Sequence, residues 1–242
     1  MSSLTHFVDF NDSTHYYLDD GFRHEVKYTL TPSEYFKFRD FCASFMDFDQ
    51  NAGADGHYIV KSYYFDTLYL NDYMEKLNGI HNRQKYRLRT YGDSGYYRLE
   101  KKMKRGQLNK KISGELSKSD ADKLIKGHFK VNTGDEKTDT IINEMYRKGY
   151  RYSSYLEYNR QAFTLKELGI RITFDRDLSV LYANYGLSLK KPKPTPVFYQ
   201  GETVLEIKFR EKLPEWLIKA VGWMAPSEYS IGKYVESLKY VT

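Results

Sequence analysis

Strand-like runs along this 242-residue chain carry charged residues two positions apart. Glu25 and Lys27 come first, then Lys85, Arg87 and Arg89, then Glu100 and Lys102. Arg171 with Asp175, and Glu206 with Lys208, repeat the spacing further on. Tyr158 and Arg160 keep it too. Successive strand side chains point to opposite faces, so residues i and i+2 share one. The alternate positions are apolar: Val26 and Tyr28, Tyr86 and Leu88, Leu99, Ile170, Ile172 and Phe174, Leu205, Ile207 and Phe209. On one strand, this describes a half-exposed sheet with its charged face in water. Repeated strand after strand, with helices available to cover the apolar side, it predicts a sheet that closes on itself and turns its charges inward. A lumen lined by Arg, Lys and Glu is no dry core, because unpaired buried charge is too costly. It has to hold a highly charged ligand. Arg and Lys clamp phosphate oxygens, and Glu binds the divalent metal that accompanies phosphate.

The elements that must position these residues are legible as runs and breaks. FRHEVKYTL alternates like a strand, and Pro32 then opens a helix, PSEYFKFRDFCASFM. HYIVKSYYFD reads as a strand and LYLNDYMEKL as a short helix ended by Asn78-Gly79. NRQKYRLRTY, GYYRLEKKMK and LNKKISGELS form an antiparallel meander joined by hairpin residues around Gly92–Gly95 and Arg105–Gln107. KSDADKLIKGHF and TDTIINEMYRKGY are helical. RYSSYLEYNRQAFTL, GIRITFDRDL and GETVLEIKFRE are strands, and LPEWLIKAVGWM and SIGKYVESLKY are closing helices. A proline-rich stretch with Lys190, Lys191 and Lys193 reads as an exposed connector. The expectation is one α+β domain over residues 21–242, a closed antiparallel β-barrel with helices packed outside, preceded by a flexible arm at residues 1–20.

Composition narrows the functional classes. Aromatic residues make up 17% of the chain, which excludes global disorder. No apolar run approaches the ~20 residues that span a bilayer, and the N-terminus has no basic head or apolar stretch of a secretory signal. A cytoplasmic location is expected. The lone Cys42 excludes an internal disulfide, and the His spacing offers no zinc motif. The formal net charge of +6 favours an anionic partner. Aromatics that alternate with charges inside strands argue for packing between sheet and helices, so no nucleic acid partner is expected. Lys101, Lys104, Arg105, Lys110 and Lys111 cluster at a hairpin tip, either a solvated turn or a guide for an anion.

The ordered set resembles the VTC domain, the polyphosphate polymerase module of the triphosphate tunnel metalloenzyme superfamily. The resemblance rests on Glu25-x-Lys27, Arg83-x-Lys85-x-Arg87-x-Arg89, Glu100-x-Lys102, Tyr158-x-Arg160, Arg171-x-Thr173-x-Asp175, Glu206-x-Lys208 and a C-terminal Lys233-Tyr234. SYYFDT at 62–67 is similar to the family's second strand. One departure is Gly232, which stands where the family usually has Ser before Lys-Tyr; Ser230 lies two residues earlier.

The resemblance implies a closed tunnel that takes the triphosphate of ATP and passes its γ-phosphate to a growing inorganic polyphosphate, with Mn2+ or Mg2+ as cofactor. It maps Arg87, Arg89, Arg160, Arg171 and Lys208 onto the catalytic clamp. Lys27, Lys85, Lys102, Tyr158 and Lys233 map onto phosphate-holding positions. Glu206, Glu25 and Glu100 map onto metal-binding or orienting acids. Two other functions compete: a tunnel triphosphatase using the same clamp with water as acceptor, and a non-catalytic binder of polyphosphate or RNA.

Overall fold

The computed structural model describes residues 23–49, 52–53, 56–92, 94–106, 108–182, 195–196, 201–224, 226–228 and 232–238. The N-terminal arm at 1–20, the connector lysines 190, 191 and 193, and Ser230 lie outside them. The elements in chain order are β1 (His24–Leu30), α1 (Pro32–Ala43), β2 (Asp47–Phe48), β3 (His57–Asp66), α2 (Asn71–Leu77), β4 (Asn82–Tyr91), β5 (Tyr97–Arg105) and β6 (Leu108–Leu116). There follow α3 (Lys118–Ile125), α4 (Glu136–Arg147), β7 (Arg151–Leu165), β8 (Ile170–Tyr182), β9 (Thr195–Pro196), β10 (Thr203–Phe209), α5 (Glu215–Met224), β11 (Ser227–Glu228) and α6 (Lys233–Glu236).

The strands form one 11-stranded sheet, ordered β11-β1-β10-β8-β7-β3-β4-β5-β6, with β2 on β7 and β9 on β8. Every pairing in it is antiparallel. The expected closed barrel is corrected. The sheet curls until β6 and β1 come together, but they meet only at an isolated bridge, Arg23 with Asn109. Its two backbone hydrogen bonds are 3.1 and 3.0 Å long. Elsewhere the ladders are continuous, as in the pairing of His24 through Leu30 with Phe209 through Thr203.

The apolar strand positions bury outward, under helices, as their alternation requires. Ile170, Ile172, Phe174, Leu205, Ile207 and Phe209 form one core with Tyr35, Phe38 and Cys42 of α1 and Leu217 and Val221 of α5. Tyr86, Leu88 and Leu99 form a second with Leu124 of α3 and Ile141, Ile142 and Met145 of α4. Full burial of such side chains contributes about 1.5–3 kcal/mol each. Helix α1 starts on a capping box in which Thr31 and Glu34 satisfy each other's backbone N–H, worth about 1 kcal/mol.

A third core lies on the concave side. Val60, Tyr64, Leu156, Tyr158, Leu178 and Val180 pack there against Tyr234 and Leu238. A bulge makes this possible. The β7–β8 register shifts between Glu157 and Asn159, and Asp177 adopts a left-handed φ of 54°. The slip changes the alternation of β8 from odd to even, so Leu178 and Val180 turn inward where Arg171, Thr173 and Asp175 did so before it. The short helix α6 plugs this apolar end, with Tyr234 stacked on Tyr64 at 4.9 Å and its hydroxyl donating to Asp66.

Candidate functional site

The concave face gathers charge into connected clusters, and cross-strand register sets their members. β1 and β10 place Glu25 opposite Lys208 and Lys27 opposite Glu206. Lys27 Nζ lies 2.5 Å from Glu25 and 3.7 Å from Glu206. Lys102 reaches from β5 to Glu25 at 2.8 Å. Glu206 also meets Lys208 at 3.0 Å, Lys233 at 3.3 Å and Arg160 at 3.8 Å. These residues form one chain of ion pairs from β5 across β1 and β10 to β7 and α6.

Glu100 heads a second cluster. β4 pairs Arg87 with Glu100 on β5, and their side chains meet at 2.6 Å. Arg89 and Lys111 approach the same carboxylate at 3.8 and 3.0 Å. Arg87 also points a nitrogen at the Tyr64 hydroxyl, at 3.5 Å. The Tyr158 ring lies 5.2 Å from the Arg160 guanidinium and 5.4 Å from the Lys233 ammonium, so it walls the first cluster. Arg171 is placed differently from the other expected clamp residues. It binds Asp49 at 2.8 Å and the Tyr58 hydroxyl at 3.1 Å.

Asp175 was visible in the sequence only as a face-mate of Arg171, and it proves central. Fully buried, it accepts from Arg160 at 2.6 and 2.7 Å and from Lys233 at 2.6 Å. Its register opposite Arg160 in the β7–β8 ladder is the signal that would have found it. Gly232 caps α6 with its backbone alone: no side chain bonds there, yet Lys233 reaches both carboxylates. Lysines of the basic hairpin separate by face. Lys101 turns out to Glu144 on α4 at 2.5 Å, while Lys111 joins Glu100.

Burial and charge set the protonation of the site. Burial alone would raise the carboxyl of Glu206, but Lys208, Lys233, Lys27 and Arg160 hold it well below the usual range. Glu25 is held low in the same way by Lys102 and Lys27, and Glu100 by Arg87 and Arg89. Burial takes Lys208 down to about 7 against the pull of Glu206. For Lys233 burial is outweighed by Asp175 and Glu206, and its pKa rises. Lys85 is pushed well below the lysine range by burial and by Lys102 and Arg87. Lys104 falls to about 8 through burial beside Arg83 and Lys76.

A divalent ion would meet few gathered protein ligands here. Among the described residues no three His, Cys, Asp or Glu gather around one point. Mg2+ is ordinarily held by one or two carboxylates plus substrate phosphates, and Mn2+ likewise prefers oxygen. Glu206 fits that use: its partners stand at 3.0 Å or more, so no short bond saturates it. Glu100 and Glu25 are each committed to shorter pairs.

The family model of the VTC domain matches residues 22–242. The chain belongs to the VTC-domain family. No curated protein sequence matches it. Solved structures extend the VTC likeness to fold. HpAC1 from Hippeastrum, a proposed adenylyl cyclase with a dominant triphosphatase activity, superposes with a TM-score of 0.54 at 12% identity, over 89% of this chain and 94% of its own. A proposed adenylate cyclase from Bacillus halodurans gives a TM-score of 0.53 at 11% identity, over 88% and 95%. At these identities the likeness is one of fold. Among the described residues no helix is long and apolar enough to cross a membrane.

Proposed function

We propose that this VTC-domain protein is an ATP-dependent polyphosphate polymerase. The observation that carries the reading is the surplus of cation at one end of the lumen. Lys27, Lys102 and Lys104 lie close enough to depress the pKa of one another or of Lys85, and Arg83 and Lys76 act on Lys104. Among the described residues Lys85 has no ion-pair partner. Like charges crowded this way disfavour one another's charged forms, and an anion bound among them relieves that. A triphosphate held by Arg87, Arg89, Arg160, Lys208 and Lys233 leaves Lys85 and Lys104 over, while Lys27 and Lys102 share Glu25, and a second polyanion, the acceptor, would use the two that are left.

Phosphoryl transfer is mostly positioning and charge neutralisation. The terminal oxygen of the polyphosphate attacks the γ-phosphorus of ATP, the bond to the β–γ bridging oxygen breaks, and ADP leaves. Arg87 and Arg160 are aimed in advance by Glu100 and Asp175, so they meet the developing charge without reorganising. Glu206 with substrate phosphate oxygens would hold Mn2+ or Mg2+, which supplies further neutralisation of the transferring group. Glu25 and Glu100 orient lysine and arginine.

The test is incubation with ATP and Mn2+, with ADP assayed and products sized. Release of ADP with a ladder of long polyphosphate supports the reading. Equal ADP and free phosphate, with no ladder even when short polyphosphate is added, makes water the acceptor and gives a triphosphatase, the activity described as dominant in HpAC1. Binding of polyphosphate without ADP release leaves only the non-catalytic module.

A further inference from the structure

The cationic end of the lumen is a mouth crossed by a row of like charges. Arg23 bridges to Asn109 where β1 meets β6. Asn109 pairs with Lys104 on β5, and Lys104 pairs with Arg83 on β4. Arg83 and Lys104 share the inward parity of Arg87 and Glu100, and like charges directly opposite on neighbouring strands repel. Lys76 of α2 adds to the row. The charges that act most on Lys104 are those of Arg83, Lys76, Lys27 and Lys102, all cations. Glu75 of α2 acts on Arg83 and offsets one of them.

The chain enters β1 at this row. Residues 1–22, which precede it, contain Asp9, Asp12, Asp19 and Asp20 and no lysine or arginine. The whole chain carries a formal net charge of +6, so the remainder is more basic still. The sign of the charge thus changes where the chain passes the mouth. Reach is sufficient. Lys104 lies two strands from Arg23, roughly 10 Å at about 4.8 Å per strand. Asp20 and Asp19 stand three and four residues before Arg23, about 11–14 Å of extended chain. A tether this short holds a partner at an effective concentration on the order of millimolar.

We propose that the acidic segment before β1 docks on the cationic mouth of its own chain, with Asp19 and Asp20 on Lys104, Arg83 and Lys76, and that a polyanion has to displace it to occupy this end of the lumen. Carboxylate oxygens meet lysine and arginine as phosphate oxygens do. Exposed ion pairs of this kind are individually weak, so the segment competes with a polyanion without excluding it. Docking needs no phosphoryl transfer, only the charge of the mouth, and so stands apart from the polymerase reading.

The experiment is calorimetric titration of the full chain with long-chain inorganic polyphosphate, in the absence of ATP. The test variant is Asp19→Asn with Asp20→Asn. The control, Asp122→Asn with Glu136→Gln, removes the same charge from exposed positions on α3 and α4. The test variant should bind at least about threefold more tightly than the control, and the gap should close at high salt. Carbodiimide coupling, which joins a carboxylate to a lysine amine it touches, locates the segment. Peptide mass spectrometry should find Asp19 or Asp20 of the wild type linked to Lys104 or Lys76, and polyphosphate should suppress the link. A mixture of isotopically light and heavy protein separates links within a chain from links between chains. Equal affinity of test variant and control, no link to either lysine, or links only between chains overturns the proposal. A protein that shows the gap and the link but makes no polyphosphate refutes the polymerase and keeps the docked segment. If neither wild type nor variants bind polyphosphate, both fall.

Discussion

Lys233 of α6 and Asp175 of β8 meet in the buried centre of the lumen, Nζ to Oδ2 at 2.6 Å. The same carboxylate takes both Nε and Nη2 of Arg160. One acid thus fixes two cations from separate elements, and the last helix is tied to the sheet through charge as well as through the Tyr234 stack. Asp175→Ala leaves Arg160 and Lys233 buried without their counter-charge. The expected loss is about 3–5 kcal/mol of unfolding free energy, read from urea transitions. Asp175→Asn, which still accepts a hydrogen bond, should lose less. Equal stability of all three proteins would show that the pair holds nothing in place.

The depressed Lys208 makes phosphate binding pH-dependent. With its pKa near 7 when unliganded, Lys208 is largely neutral above that pH, and a bound phosphate restores its charge. Binding should therefore take up a proton in the window from about pH 7 towards the ordinary lysine range. Affinity for tripolyphosphate should fall as pH rises through that window and level off below it. Lys208→Arg stays charged throughout and should flatten this part of the profile. Titration in buffers of different ionisation enthalpy counts the proton directly; identical uptake by wild type and variant would assign it elsewhere. For folding the sign is the reverse: the unfolded chain binds the proton that folded Lys208 releases, so this residue's contribution to stability improves as pH rises from about 7.

The cationic end should govern product length more than turnover. Lys76→Ala with Lys104→Ala removes two charges from the proposed acceptor side and leaves the clamp intact. The polyphosphate ladder should shorten at least severalfold while ADP release falls less, and the difference should shrink at high salt, where exposed charges are screened. A ladder of unchanged length would place the acceptor elsewhere.

Clamp and ion are separable. Arg87→Ala should lower the rate by about 100–1,000-fold with Mn2+ binding retained. Glu206→Gln should abolish turnover at saturating Mn2+ and weaken Mn2+ binding in the presence of tripolyphosphate, as read by electron paramagnetic resonance. Wild-type turnover in Glu206→Gln would remove the metal role from this residue.

Behind the lumen wall, Asp72 of α2 is buried with Oδ2 unpartnered, although Tyr150 donates to Oδ1 at 2.7 Å. Burial and the neighbouring Asp66 raise its carboxyl to about 8. A raised carboxyl binds a proton in the folded state that the unfolded chain has lost, so it costs stability increasingly as pH rises from about 4 to 8. Asp72→Asn should stabilise the protein at pH 8 by about 1–3 kcal/mol and have little effect near pH 4. A variant less stable at both pH values would contradict the protonation.

The charged lining was legible because a period of two is a local property: Glu25 and Lys27, Arg87 and Arg89, and Glu206 and Lys208 all face inward as their spacing requires. The apolar outer sets fell under helices for the same reason. Non-local features were hidden. Asp175 gains its place only from its register with Arg160 and from α6, which arrives late in the chain. The slip at Asp177 breaks the alternation of β8 without a composition signal, so the inward turn of Leu178 and Val180 could not be read. Closure failed as an expectation because it depends on how far β6 overlaps β1, and the strands share one residue pair.

That lone pair, Arg23 with Asn109, makes the tunnel a pipe slit along its length. Two amide hydrogen bonds contribute about 0.5–1.5 kcal/mol each, and Lys102 with Glu25 is the ion pair that spans the same line. On either side of the slit stands a separate hydrophobic core, so the half-shells can part there without either one melting. A long polyanion competing for Lys102 loosens the pair that keeps the slit shut. On the proposed polymerase reading, a long product would then not need to be drawn out by its end, because a wall that opens along the slit would release it sideways.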